Sequence, residues 1–361
     1  MALVIKRHGK LVGPYEFAYT PLERLWFAPE TWTYFRETKD GMVALSGVTG
    51  TIHIINKSDV LIPWATKKCV QRIKAEMDAG YLRGDGFYEI LAEELDKILQ
   101  AGKVEHKTIL DDAAECGHVA HDHVEQIIKA ILAGNQTRIL ELLAKMPDDE
   151  RAANCVMAAI EWMVAHDVRW VGTERKIYSR EHGYAGTLDG LAYVSSCTDP
   201  MCCPNHFVHR LSIVDWKTSN YLYTDYLLQT SSYWKAHVEE TGDPIEDRWI
   251  IRLGKEDGEF DPWHAEGQEL FRQDFAAFEQ CLALTRSMKA IEERIDSVKE
   301  NRKAAMTLKL QAAKLEQMKI KCPKAKDYKG QKKSKCLEDG SQCEACAAIY
   351  AERHKKKVDQ T

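Results

Sequence analysis

The sequence predicts an α/β protein: a central mixed sheet flanked by helices, followed by a long helical C-terminal extension and a cysteine-rich tail. Three observations carry this. Apolar, β-favouring segments of strand length stand at Tyr184 to Val194, Phe207 to Trp216 and Arg248 to Leu253. Between and before them lie stretches with apolar residues at three and four spacing, the period of a helix with one buried face. After Pro262 that period continues as one stripe, Phe271, Phe275, Phe278, Leu282, Thr285, Met288, Ile291, Ile295 and Val298, carried less cleanly to about Met318.

In chain order, residues 1–44 are rich in aromatics and turn residues and predict short strands with one amphipathic turn around Pro21 to Phe27. A core region of residues 45–263 follows. Its first elements are a capped helix over Ser58 to Ala79, a second over Asp85 to Leu99, and a histidine-bearing helix over Ala113 to Ala133. Another runs from Asp148 to His166, after which Val168 to Val171 begins a strand leading to Glu174. The segments 184–194 and 207–216 are joined by a cysteine-rich turn, so a hairpin is expected. Thr224 or Asp225 can cap the next helix, which should stop before Gly242-Asp243-Pro244. The stripe of residues 264–320 reads as a core or helix-pair face, with a partner-binding coiled coil as the alternative. Residues 321–361 form the basic tail.

With 361 residues, 45% hydrophobic and 29% charged, the chain can bury a full core. No window approaches the roughly 18 consecutive apolar residues of a membrane span, and the start Met1-Ala2-Leu3-Val4-Ile5-Lys6-Arg7 lacks the long apolar region of a signal peptide. A soluble, cytoplasmic protein without a membrane partner is expected. Eleven cysteines without a secretion signal favour reduced thiols and metal sites over a disulfide framework. The formal charge of -5 is unevenly spread: the tail holds eleven Lys and Arg against six Asp and Glu, so the body is the acidic part. An acidic body is compatible with nucleic acid where carboxylates bind a metal that inverts the local field.

The chemistry concentrates between Gly186 and Tyr233. Asp189 and Asp215 lie on adjacent expected strands and offer the hard oxygen ligands that Mg²⁺ prefers. Alternation along Ile213-Val214-Asp215-Trp216-Lys217 puts Asp215 and Lys217 on one face, so the lysine is a positive charge beside the carboxylates.

Five motifs occur in a fixed order: Gly117 to His121, Glu174, Gly186 to Asp189, Asp215 to Lys217, and Gln229 to Tyr233. Together they resemble the PD-(D/E)XK nuclease superfamily, and within it the RecB-like branch of phage exonucleases. There a helix carries G-x-x-x-H, strands carry Glu, G-x-x-D and D-x-K, and a helix carries Q-x-x-x-Y. The segment Gly47 to Thr51, continuing to Lys67, is similar to the entry of phage-encoded members, where a short strand leads into a helix. The resemblance covers roughly residues 45 to 290.

It implies a restriction-endonuclease-like core and a Mg²⁺- or Mn²⁺-dependent exonuclease of phage-type recombination, replication or DNA-end processing. Its substrate would be DNA with free ends, and its partner a recombination or replication protein. A CRISPR-adaptation-like nuclease and a non-catalytic DNA-binding or assembly protein are the alternatives. By the same resemblance Asp189, Asp215, His121 and the backbone carbonyl of Trp216 are metal ligands, and Glu174 approaches the metal directly or through water. Lys217 orients the attacking water and stabilises the developing anion, while Gln229 and Tyr233 line the DNA cleft. His118 and Glu125 fall on nearly the same helical face as His121, so spacing from Gly117 alone selects the ligand.

Two cysteine clusters remain. Cys322, Cys336, Cys343 and Cys346 form C-x13-C-x6-C-x2-C in a segment too poor in apolar residues to fold without a metal. Four thiolates suit Zn²⁺, or alternatively a 4Fe-4S cluster, although this spacing departs from the cluster-bearing relatives. Cys197, Cys202, Cys203 and His206 lie in the expected hairpin turn, and their spacing permits a small second metal knuckle or a plain turn.

Overall fold

The computed structural model describes residues 7–18, 24–55, 57–81, 88–197 and 208–319. The chain divides into two units, Met1–Thr285 and Arg286–Thr361. The first begins with an antiparallel sheet of β1 (Val12–Tyr15), β2 (Arg24–Ala28), β3 (Thr33–Thr38) and β4 (Gly41–Ala44), paired in that order. A two-residue strand β5 (Ser46–Gly47) leads into the short helix α1 (Val48–Ile52), then α2 (Ser58–Gly80), α3 (Ala92–Leu132), α4 (Gln136–Ala144) and α5 (Glu150–Ala165). The main strands are β6 (Arg169–Ser179), β7 (Tyr184–Ser195) and β8 (His209–Lys217). After helix α6 (Thr224–Thr241) come β9 (Asp247–Leu253), β10 (Phe260–Glu266) and the helix α7 (Gln268–Lys319).

The main sheet is mixed, in the order β10-β9-β8-β7-β5, with β6 also paired to β7. Strand β6 runs antiparallel to β7 along nearly its whole length, whereas β8 pairs only Gly190 to Ser195 and β5 joins in parallel at Tyr184 and Ala185. The edge of β7 from Gly186 to Asp189 is thus bracketed by two strands that pair elsewhere on it. Strands β8 and β9 are parallel, and β10 closes the far side antiparallel to β9.

Side-chain alternation divides the core. On one face, Ala120, Val124 and Ile128 of α3 and Ala152, Cys155, Val156 and Trp162 of α5 pack on Val194, Val214, Trp216, Trp249 and Ile251. On the other, Tyr233 and Trp234 of α6 and Phe271, Phe275, Phe278 and Leu282 of α7 pack on Ile177, Leu188, Leu191 and Ile213. At roughly 1.5–3 kcal/mol per fully buried large apolar side chain, these two layers are the main source of stability. The N-terminal sheet joins through a smaller cluster in which Phe17, Leu25, Phe27 and Tyr34 meet Tyr178 and Ala185.

Several sequence expectations change. The helices expected at 85–99 and 113–133 are one: α3 begins at Ala92, after residues 88–91, which form no helix, and runs unbroken to Leu132. No proline lies between Tyr88 and Leu132, so nothing forces a break, and the polar stretch between the two apolar patterns is the exposed part of one element. Helix α6 is not capped by Thr224 or Asp225: its N-cap is Tyr223 with no side-chain bond, and Asp225 instead pairs with Lys57 at 2.8 Å. Its C-terminal end follows expectation, with Gly242 left-handed at φ 73°.

Pro262 does not begin a helix but sits within β10, which forms the sheet edge where a missing N–H is tolerated. The apolar stripe that follows is a core face only as far as Leu282. Within the second unit Met288, Ile291, Ile295 and Val298 are exposed along α7. Helix α4 has no counterpart in the sequence reading; Asn135 caps it by accepting from the Arg138 amide. Among the described residues no helix is long and apolar enough to cross a membrane.

Candidate functional site

The open edge of β7 positions the site. Gly190 and Val214 form the first paired position of β7 with β8, and beyond it the strands separate. The Trp216 N–H therefore donates to Asp189 Oδ2, at 3.1 Å, instead of to a strand carbonyl. That bond fixes the Asp189 carboxylate beside the β8 residues that carry Asp215 and Lys217. The Trp216 ring faces away, 5.3 Å from Trp162 in the core, so only its backbone can contribute here. Alternation brings Asp215 and Lys217 together as expected, with Nζ 2.5 Å from Oδ2.

The remaining expected residues converge on the same place. Glu174 lies opposite Asp189 across the β6–β7 ladder, between the pairs Thr173 with Gly190 and Arg175 with Leu188. Its backbone is left-handed at φ 49°, a conformation that costs a side-chain-bearing residue about 1–2 kcal/mol. Strain of this kind collects at functional positions. His121 reaches in from α3, with Nδ1 3.8 Å from Asp189 Oδ2. Gly117 brings that helix close, since a Cβ there would lie 2.7 Å from Thr218 Oγ1, one residue past Lys217. On α6 the Gln229 amide donates to the Tyr233 hydroxyl at 2.7 Å. Tyr233 in turn packs on Gly186, where a Cβ would stand 3.0 Å from its ring and 3.0 Å from Val48. Both motif glycines thus act by permitting close approach.

Three carboxylates meet two lysines here: Lys217 beside Asp215, and Lys176, whose Nζ lies 3.9 Å from Glu174. Asp215 is fully buried, and neither of its carboxylate oxygens accepts a well-aligned hydrogen bond, although the Lys217 ammonium is adjacent. Burial raises the Asp215 carboxyl to about 6; Lys217 opposes this and Asp189 adds to it. Burial also raises Asp189, and burial followed by the charge of Asp189 raises Glu174 to about 7. Burial alone would lower Lys217, yet Asp215 and Asp189 hold it above the ordinary lysine value. Burial and the nearby Lys217 push His121 down to about 4, so its imidazole is neutral near pH 7 and has a lone pair to donate. The carboxylate oxygens of Glu174, Asp189 and Asp215 could serve a divalent cation as hard ligands, and the neutral His121 imidazole could add a nitrogen.

The cleft has a volume of about 690 Å³ and is lined by His121, Glu174, Gly186, Asp189, Gln229 and Tyr233, together with residues the sequence did not single out. His118 and Glu125 line it as well, as their helical face suggests. One wall comes from the N-terminal sheet: Trp32, Thr33 and Tyr34 line the cleft, and the Tyr34 hydroxyl is hydrogen-bonded to Thr187 Oγ1 at 2.7 Å. Nothing in residues 1–44 announces this role, because it arises from docking of one sheet on another.

A second carboxylate–histidine group, Asp247, His264 and Glu266, clusters at the outer end of β9 and β10. It is already served by a cation: the Arg210 guanidinium lies 2.7 Å from Glu266 and 3.6 Å from Asp247. We therefore read it as an ion-pair cluster. The tail cysteines Cys322, Cys336, Cys343 and Cys346 lie outside the described residues, as do Cys202, Cys203 and His206; Cys197, at the end of β7, is described and makes no disulfide.

The fold and the site define a mixed α/β protein in which Glu174, Asp189 and His121 line a cleft at the sheet edge, with the buried Asp215–Lys217 pair beside Asp189. No protein-family model matches the chain, and no curated protein matches it either.

Proposed function

We propose that the chain is a divalent-metal-dependent nuclease, an exonuclease acting on DNA with free ends in recombination, replication or end processing. The observation that carries this reading is the convergence of Glu174, Asp189, Asp215 and Lys217 at the splayed edge of two strands, with His121 opposite. In this reading the fold is the restriction-endonuclease-like core that the five motifs imply. Asp189, Asp215 and His121 would hold Mg²⁺ or Mn²⁺, with the Trp216 carbonyl as a further ligand. A divalent ion there supplies Lewis acidity toward the phosphodiester and makes a nucleophilic water available near neutral pH.

The protein's own groups do the rest. Lys217, held beside Asp215, orients the attacking water and offsets the charge that builds on the phosphoryl oxygens. Glu174, opposite Asp189 and lining the cleft, is placed to take up a proton from that water. Gln229 and Tyr233 line the cleft beside the reacting phosphate.

The test is incubation with Mg²⁺ and four substrates: linear and circular DNA, each single- and double-stranded. Degradation of the linear forms alone is expected. Asp215→Ala should abolish it, and Lys217→Ala should lower the rate by roughly 10²–10³-fold, the effect of removing one preorganised charge or donor. Both variants should keep the wild-type circular dichroism. Unchanged cleavage in either variant would sink the assignment.

A further inference from the structure

We infer that Trp32 is a stacking platform for a nucleobase, and that the cleft takes nucleic acid as a single strand in preference to an intact duplex; this rests on the nuclease reading of the same cleft. Trp32 ends the turn Pro29 to Trp32 that joins β2 to β3, where Ala28 and Thr33 form the last paired position. Its backbone is left-handed at φ 49°, where glycine or asparagine would be the unstrained choice. Folding does not account for a tryptophan there, because 62% of its surface is exposed. Its ring contact is edge-on to Phe27, with centroids 5.1 Å apart at 88°. A strained, exposed, large aromatic side chain offers its ring to something outside the fold.

Its location says what that is. Trp32 lines the same cleft as His121, Glu174 and Asp189. Asp215 is fully buried at that centre, and the Asp189 side chain keeps only 17% of its surface exposed. An intact duplex hides its base faces by stacking, so it offers no base to Trp32 unless it is first unpaired. A single strand offers one directly. Its backbone bends into a narrow cleft, and every base presents a π face that an aromatic ring accepts whatever the sequence. In short, Lys217 and a cation held by the carboxylates would take the phosphate, and Trp32 a neighbouring base.

The experiment is equilibrium binding of an eight-residue oligothymidine, the same strand with abasic sites, and a blunt duplex. All are measured in Ca²⁺, a hard cation for the same oxygen ligands, so that binding is read apart from cleavage. Wild-type protein should bind oligothymidine more tightly than either the abasic strand or the duplex. Trp32→Gly relieves the left-handed strain, so it should fold at least as stably as wild type while binding oligothymidine about tenfold more weakly, the loss of one stacked base. Trp32→Phe should weaken binding by less than about threefold, and both variants should bind the abasic strand as wild type does. Equal oligothymidine binding by wild type and Trp32→Gly would overturn the inference, as would tighter binding of the duplex or no binding of oligothymidine at all. Cleavage assays in Mg²⁺ and Mn²⁺ separate the two readings. Cleavage without a Trp32 effect removes only this inference, whereas a Trp32 effect without cleavage removes only the nuclease reading.

Discussion

Glu174 and Asp215 hold protons at pH values where exposed carboxyls have lost them, because burial raises them to about 7 and about 6. A divalent ion binds the ionised form, so the protons must leave before it enters. Metal affinity is therefore expected to climb with pH through this window, by at least tenfold between about pH 5.5 and 7.5, where both groups lose their protons. His121 adds little to that slope, since it is already neutral above about 4. Calorimetric titration with Mn²⁺ at several pH values would show it, and Glu174→Gln should flatten the slope while leaving a binding site. A pH-independent affinity would contradict the charge state assigned to the centre. His121→Ala should weaken Mn²⁺ binding without changing the slope. At this scale the sequence was informative where chemistry and strand alternation coincide, as in Asp215 and Lys217. It was silent on Trp32 and Tyr34, whose roles come from tertiary docking.

The elements differ in how far their sequence explains them. Strands β7 and β8 are largely buried and carry the apolar residues Leu188, Leu191, Val194, Ile213, Val214 and Trp216, which made them legible. Strand β10 sits at an edge with Asp261 and Pro262 exposed, so its pattern resembled a loop. Strand β5 has two residues, too few to show a period, yet it closes one side of the gap in which Asp189 sits. Helix α7 shows the opposite failure, since one apolar stripe spans two environments: Phe278 is fully buried while Ile295 is exposed. Phe278→Ala should therefore destabilise the first unit by about 3–5 kcal/mol in chemical denaturation. Ile295→Ala should change stability by less than about 0.5 kcal/mol. Equal effects would mean that the stripe is a single packed face after all. Gly186→Ala belongs to this scale too, because the new Cβ must displace the Tyr233 ring or Val48. A loss of cleavage larger than the loss of stability is expected.

For the whole molecule, the mixed sheet, its two helical layers and the long C-terminal helix follow from hydrophobic period, whereas the docking of the N-terminal sheet on the main sheet does not. That docking completes the cleft, so the candidate site is a product of the assembled unit and not of the motif-bearing strands alone. Metal binding should accordingly stabilise the whole unit. At an ion concentration about 100 times the dissociation constant, linkage adds about 2.7 kcal/mol, a rise of several degrees in Tm that should be absent in Asp189→Ala with Asp215→Ala. An ion held where β7 and β8 part would be seen most directly by anomalous scattering from a crystal soaked in Mn²⁺. The expected result is a peak roughly 2 Å from the Asp189 and Asp215 carboxylates and facing His121. A peak at Asp247, His264 and Glu266 instead, or none at the cleft under conditions that saturate the protein, would contradict the account.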